Sequence, residues 1–320
     1  MIARQGRAIM LDKLRKTLHR CGFSQKSHSA PIFRPERLAE KLGYRPNARL
    51  LIVHADDLGF AKAVNEAFFA ALKTGLVNSG SAMVPCPWFS EIAAFAREHP
   101  ETDIGLHLTL TSETDAHKWQ PSAGPEMVPS LVDDEGFLRK EWPGGARINL
   151  RDVERELRAQ IDKAYESGLR PTHIDSHQFC LQKRGDRLFD VYARLGREYG
   201  LPILVTPQWF SQYPYIENAS SLGYVLLDRV ATIPDGTVAE EWSPYYTRLL
   251  RSLQPGVTEL LIHPGYDQDD FRNLLDGRLS WGAAWRQRDF DFFTSEAFRS
   301  LLLENDIALI TWRDISNALH

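Results

Sequence analysis

Four short stretches bring acidic or imidazole side chains to the ends of apolar runs. They read HADDLG at 54–59, IGLHLTL at 104–110, THIDSH at 172–177 and ELLIHPG at 259–265. Carboxylates and neutral imidazoles hold divalent cations and move protons near neutral pH, so the chemistry they share is metal-assisted hydrolysis. In the first stretch an apolar run ends in Asp56-Asp57 with Gly59 just beyond. That predicts a tight turn in which adjacent side chains diverge and take separate roles. A single Asp there would more simply cap the next helix; the pair argues for chemistry.

In the second stretch, strand alternation places Gly105, His107 and Thr109 on one face and Ile104, Leu106 and Leu108 on the other. Beside glycine, His107 has room for a ligand. His173, Asp175 and His177 also occupy alternate positions. Same-face residues lie about 6.6 to 7 Å apart, too far for one ion to take all three easily. His177, nearest the carboxyl end, is expected to ligate, with Asp175 and His173 orienting ligands from behind. His263 ends its own apolar strand before a Pro264-Gly265 turn and is free to act as general acid or base. One Asp and two His would leave positions open for water and substrate, which a catalytic ion needs and a structural one does not.

The elements that must deliver these groups begin at Leu50, where Leu50–Val53 reads as a strand and Val64 to Gly75 as a helix with its stop. Further strands are predicted at Ile104–Leu110, Thr172–Ser176, Pro202–Val205, Glu259–Ile262 and Ala308–Thr311. The clearest helix spans about Asp152 to Tyr165, with Val153, Leu157, Ile161 and Ala164 at helical spacing and Gly168 beyond. Such βα alternation predicts an α/β fold with parallel strands under helical cover, long enough to close as a (β/α) barrel with catalytic groups at the carboxyl ends. Residues 47–320 are expected to form this single catalytic domain. Residues 1–46 read as an extension, helical around Met10, Leu11, Leu14 and Leu18 or partly ordered. Two aromatic-rich stretches, 111–147 and 208–246, read as loops that wall a cleft.

Composition narrows the partners. With 43% hydrophobic and 25% charged residues the chain is of soluble globular type. A net charge of −4 gives no electrostatic reason to expect nucleic acid or an anionic membrane. Cys21, Cys86 and Cys180 match neither a disulfide framework nor a metal knuckle, and no secretory leader or spanning segment is recognisable. Reduced thiols in a cytoplasm follow. Oligomeric state is open, a homo-oligomer included.

At these residues the sequence resembles the YdjC-like carbohydrate deacetylases, the family that contains the chitooligosaccharide deacetylases. The resemblance rests on Ala55-Asp56-Asp57-Leu58-Gly59, Gly105-Leu106-His107-Leu108-Thr109-Leu110-Thr111 and Thr172-His173-Ile174-Asp175-Ser176-His177, and takes in Asn65, Met83-Val84-Pro85, His263-Pro264-Gly265 and Arg286. It implies an irregular α/β barrel akin to other polysaccharide deacetylases. It also implies one divalent ion, zinc or magnesium, held by Asp57, His107 and His177, with Asp56 as base and an N-acetylated amino sugar as substrate. In the reaction this predicts, His263 as imidazolium protonates the leaving amine and Arg286 holds Asp56 ionised. Gln178-Phe179-Cys180 stands where many members carry further histidines, and His54 where many have Asn. Neither departure removes a ligand, but both bear on substrate choice. Two rivals remain: a metal-dependent phosphoesterase, for which no basic cluster accompanies the motifs, and a sugar-binding protein without turnover.

Overall fold

The computed structural model describes residues 38–115, 117–141, 148–217, 224–275 and 278–319. Its seven strands are β1 (Arg49–Leu58), β2 (Ser79–Ala82), β3 (Ile104–Leu108), β4 (Ile174–Ser176), β5 (Arg229–Ala231), β6 (Gly256–Ile262) and β7 (Ile307–Leu309). All pair in parallel in the order β4-β3-β2-β1-β6-β5, and β7 joins the lower part of β1 through Arg49–Leu51. Between β4 and β5 the stretch 202–205 bonds to β4 on one side and to the segment just before β5 on the other. Ile174 N donates to Pro202 O (2.9 Å), and Leu227 N donates to Val205 O (3.0 Å). The sheet thereby curls into the irregular barrel that the βα alternation predicts.

The alternation of β1 sorts its side chains into two cores. Leu51, Val53 and Ala55 join the large cluster between sheet and helices. Leu50 and Ile52 join a smaller cluster with Leu204, Leu227, Val257 and Trp312, which fills the barrel floor. Above that floor the inward positions turn polar yet stay buried: His54 and Asp56 on β1, Ser79 and Ser81 on β2, His107 on β3 and Asp175 on β4. The outer core takes the helical cover. Lys62–Leu72 buries Ala63, Val64, Ala67, Phe68 and Ala71, and Leu150–Glu166 buries Val153, Leu157, Ile161 and Ala164.

Leu150–Glu166 also carries three polar groups on its buried side, one turn apart. Asp152 Oδ2 accepts from Ser130 N (3.1 Å), the Glu156 carboxylate accepts from Ser122 N and Ala123 N (2.8 Å each), and the Gln160 amide brackets Thr109. They pin the loop that follows β3. That loop, expected to be irregular, holds a short 3₁₀ turn at Pro125–Met127 and one antiparallel bridge, Val132 to Leu138. The second expected loop contains β5 and the start of the helix Trp242–Arg251.

Several elements depart from expectation. Pro202–Val205 makes only a bridge from Ile203 to Ile174, because it crosses an irregular corner. The strand predicted from Thr172 begins at Ile174. β2 gives no apolar signal because its residues must be small: a Cβ on Gly80 would stand 2.8 Å from Leu58 Cδ1 and 2.9 Å from Ala55 O. Leu38–Lys41, inside the expected extension, is a helical turn whose Leu38 and Ala39 bury against the barrel floor. The helix expected around Met10–Leu18 and Cys21 lie outside the described residues. Among the described residues no helix is long and apolar enough to cross a membrane.

Gly105 does not make room for a ligand. A Cβ there would lie 2.5 Å from the ring of His173, which stacks on buried Trp312 with centroids 4.9 Å apart. Gly105→Ala is therefore expected to overpack the barrel interior and lower unfolding free energy by about 1–3 kcal/mol. Urea melts should show a reduced midpoint at unchanged slope.

Candidate active site

Adjacent strand residues normally face opposite sides of a sheet, yet Asp56 and Asp57 both line one cavity. The expected tight turn is instead a bulge within β1. Pairing with β2 slips by one residue between Ala55 and Leu58, and Asp57 takes a left-handed φ of 65°. Asp56 keeps the inward register of His54, and the extra residue turns Asp57 inward as well. Their directions still diverge. Asp57 Oδ2 accepts from Arg286 Nη2 at 2.7 Å, whereas Asp56 Oδ2 lies 3.6 Å from His263 Nε2. Arg286 thus holds Asp57 rather than Asp56, correcting the sequence expectation: the bulge aims Asp57 at the helix Ala283–Phe293.

His107 on β3 and Asp175 on β4 are register partners, so they share a face across adjacent strands. His107 Nδ1 contacts Asp175 Oδ1 at 2.8 Å. A carboxylate only accepts, so Nδ1 carries the proton and a neutral His107 presents its lone pair at Nε2. His177 follows β4 in a 3₁₀ turn, and its Nε2 lies 3.0 Å from Glu113 Oε1. By the same reasoning Nδ1 is its free atom. Those free atoms converge with Asp57 Oδ1: His107 Nε2 and His177 Nδ1 lie 3.4 and 3.2 Å from it, and 3.3 Å from each other. Asp57 Oδ1 is buried without a hydrogen-bond partner.

Such a triangle suits a small cation. At ligand distances of about 2.1 Å, tetrahedral angles separate donor atoms by about 3.4 Å and right angles by about 3.0 Å. The field agrees. Burial works against charge on His107, but Asp175 and Asp56 outweigh it and raise its pKa to about 10, so that without an ion a proton on Nε2 takes the place a cation would fill. Burial likewise opposes ionisation of Asp57, yet Arg286 and the two imidazoles hold it well below the usual carboxylate range.

The remaining expected residues separate. Asp175 does orient His107, and its Oδ2 also accepts from Ser81 Oγ at 2.9 Å. His173 does not orient a ligand. It lies deeper, stacked on Trp312 and edge-on to His54, and burial holds it neutral, well below the usual imidazole range. His263 reaches the cavity at the end of β6 with its backbone N–H on Asp289 Oδ2 (2.8 Å). Its Nδ1 has no partner, and burial pushes its pKa down to about 4, so the expected imidazolium is not the resting form.

Sequence reasoning missed Glu113, Ser81 and Arg278. Arg278 Nη2 donates to Glu113 O at 2.6 Å, tying two distant loops over the cavity. Glu113 stands six residues past His107, beyond the strand pattern, where nothing in the spacing marks it. The cavity encloses about 310 Å³, within the range of small-molecule sites.

The profile of the YdjC-like protein family matches residues 50–304. A carbohydrate deacetylase of Thermus thermophilus is 33% identical across 88% of this chain and 99% of its own. Another, of Thermoanaerobacter pseudethanolicus, is 29% identical across 82% and 98%. A solved structure from Enterococcus faecalis, described as a putative cellobiose-phosphate cleavage protein, superposes with a TM-score of 0.70 at 29% identity, covering 83% of this chain and 98% of its own.

Breaking the buried pair by Arg286→Met in chelated protein should cost about 3–5 kcal/mol, since it strands a buried carboxylate. A double-mutant cycle by urea melts should show that loss shrinking in the Asp57→Asn background and persisting in Asp56→Asn.

Proposed function

On the premise that this chain belongs to the YdjC-like protein family, we propose that it is a carbohydrate deacetylase that hydrolyses the acetamide of N-acetylated amino sugars with one divalent cation. Residues 47–320 are its catalytic domain. The observation that carries this reading is the triangle of Asp57 Oδ1, His107 Nε2 and His177 Nδ1 beside a second carboxylate, Asp56, that the triangle does not use.

Asp57, His107 and His177 would hold the cation, with zinc and magnesium both compatible with the donor set. Bound there, it supplies a Lewis acid that polarises the acyl oxygen and acidifies a water. Asp56 Oδ2, the oxygen on the His263 side of the carboxylate, accepts a proton from the attacking water as its oxygen bonds to the acyl carbon. The C–N bond then breaks and the amine nitrogen takes a proton from His263 Nε2, releasing acetate. Neutral at rest, His263 does not bring that proton with it. It relays the one taken from water through Asp56 Oδ2, 3.6 Å away. Asp175 and Glu113 keep the two imidazoles in the tautomers that leave Nε2 and Nδ1 free. Buried, unpaired Cys86 and Cys180 suit the reducing interior of a cell.

The test is acetate release from N-acetylglucosamine and N,N′-diacetylchitobiose. Chelation should abolish it, add-back should restore it, and elemental analysis should find one divalent ion per chain. Asp56→Asn should keep the ion while the rate falls by about 10²–10⁴-fold. Asp57→Asn should lose the ion and recover in part with excess metal, because an amide oxygen is a poorer ligand. The reverse pattern would swap the two roles, and full turnover without metal would sink the reading.

A further inference from the structure

Five non-glycine residues have left-handed backbone among the described residues, and four of them, Asp57, Gln178, Phe179 and Trp281, line the one cavity. For bulky side chains this conformation costs on the order of 1 kcal/mol or more each, and glycine would adopt it freely. Asp57 is explained by the bulge. The side chains of Phe179 (φ 52°) and Trp281 (φ 60°) supply no donor atom to the triangle and no proton to the relay.

Each ring is held from behind and half-buried, with the cavity beside it. Phe179 packs edge-on to Trp209 with centroids 5.2 Å apart, and Lys183 Nζ stands 4.1 Å from its centroid. Trp281 packs against Trp285 (4.9 Å) and against the ring of His263 (4.7 Å). Its carbonyl accepts from Arg286 Nε at 3.0 Å, and the next residue must be glycine, since a Cβ on Gly282 would stand 1.9 Å from Arg278 O. Leu204, Leu261 and Leu275 add apolar surface to the same lining. A simple acetamide needs no aromatic surface. A pyranose ring does offer one a match, because its axial C–H bonds form apolar faces that pack on aromatic rings.

We propose that Phe179 and Trp281 are the specificity-determining residues of this site, each packing on a C–H face of the sugar ring that carries the acetamide. The strained backbone at both positions is kept because it aims the rings into the cavity. The proposal rests on the substrate being an N-acetylated sugar.

The experiment measures binding of N,N′-diacetylchitobiose by calorimetry to chelated protein, and in parallel kcat/KM for that sugar and for N-acetylethanolamine, a ring-free acetamide. Phe179→Ala and Trp281→Ala are each expected to weaken sugar binding about tenfold or more. Their kcat/KM for the sugar should fall well below that for the ring-free acetamide. Phe179→Tyr and Trp281→Phe should recover most of the binding. Phe179→Gly should melt no lower than Phe179→Ala, since glycine relieves the backbone. Unchanged sugar affinity in both alanine variants overturns the proposal, and so does an equal loss on both acetamides. If the wild type releases no acetate from either compound, the deacetylase reading falls, while the calorimetric comparison still decides the role of the two rings.

Discussion

The bulge at Asp57 is the constraint on which the site depends. A regular β1 would send Asp57 outward among the apolar side chains beneath the helices, where Leu51, Val53 and Ala55 pack. One extra residue and one left-handed φ put two neighbouring carboxylates at one cavity, where they approach His107 from opposite ring nitrogens and otherwise take different partners. Their separation of duties follows. Asp57 faces Arg286 and two imidazoles, while Asp56 faces His54 and His263. Two ionised carboxylates pointing together would instead force one to take up a proton.

The barrel interior is graded so that this cluster can exist. Its floor is apolar, with Leu50, Ile52, Val257 and Trp312. Its middle layer holds His54, His173 and Glu259, each packed against or bonded to a neighbour: His54 with Ser79 and Ser81, Glu259 with Trp312 Nε1 at 2.7 Å, His173 on the Trp312 ring. Burial lifts Glu259 to about 8, so at neutral pH this layer adds little negative charge below the ionised carboxylates above it. Serine and glycine on β2 and β3 are the complement of those rings, small where an imidazole must fit.

Much of this was legible from sequence because strand periodicity and strand ends are local properties. The apolar runs of β1, β3 and β6 and the helix Leu150–Glu166 declare themselves by spacing, and with them the carboxyl-end placement of Asp56, Asp57, His107, His177 and His263. What was hidden depends on contacts distant in sequence. Arg286 meets Asp57 across 229 residues, so the choice between two adjacent carboxylates could only come from the bulge. His173 shares a strand face with Asp175 but sits one layer lower, where Trp312 rather than the ligands surrounds it. β2 and β5 are short and carry no apolar pattern, β2 because its neighbours leave no space for one.

Arg286 carries more of the geometry than its one ion pair suggests. Buried ion pairs add little net stability, because desolvating both partners offsets most of their attraction. Their value here is directional. Nη2 fixes Asp57 Oδ2, and Nε of the same guanidinium holds the Trp281 carbonyl. The planar fork sets the angle between those bonds, something a lysine ammonium cannot do. Phe60 and Phe271 lie against the guanidinium at 5.6 and 6.0 Å, excluding the water that would otherwise compete for it. One rigid side chain thus ties a candidate metal ligand on β1 to an aromatic wall from the far end of the chain.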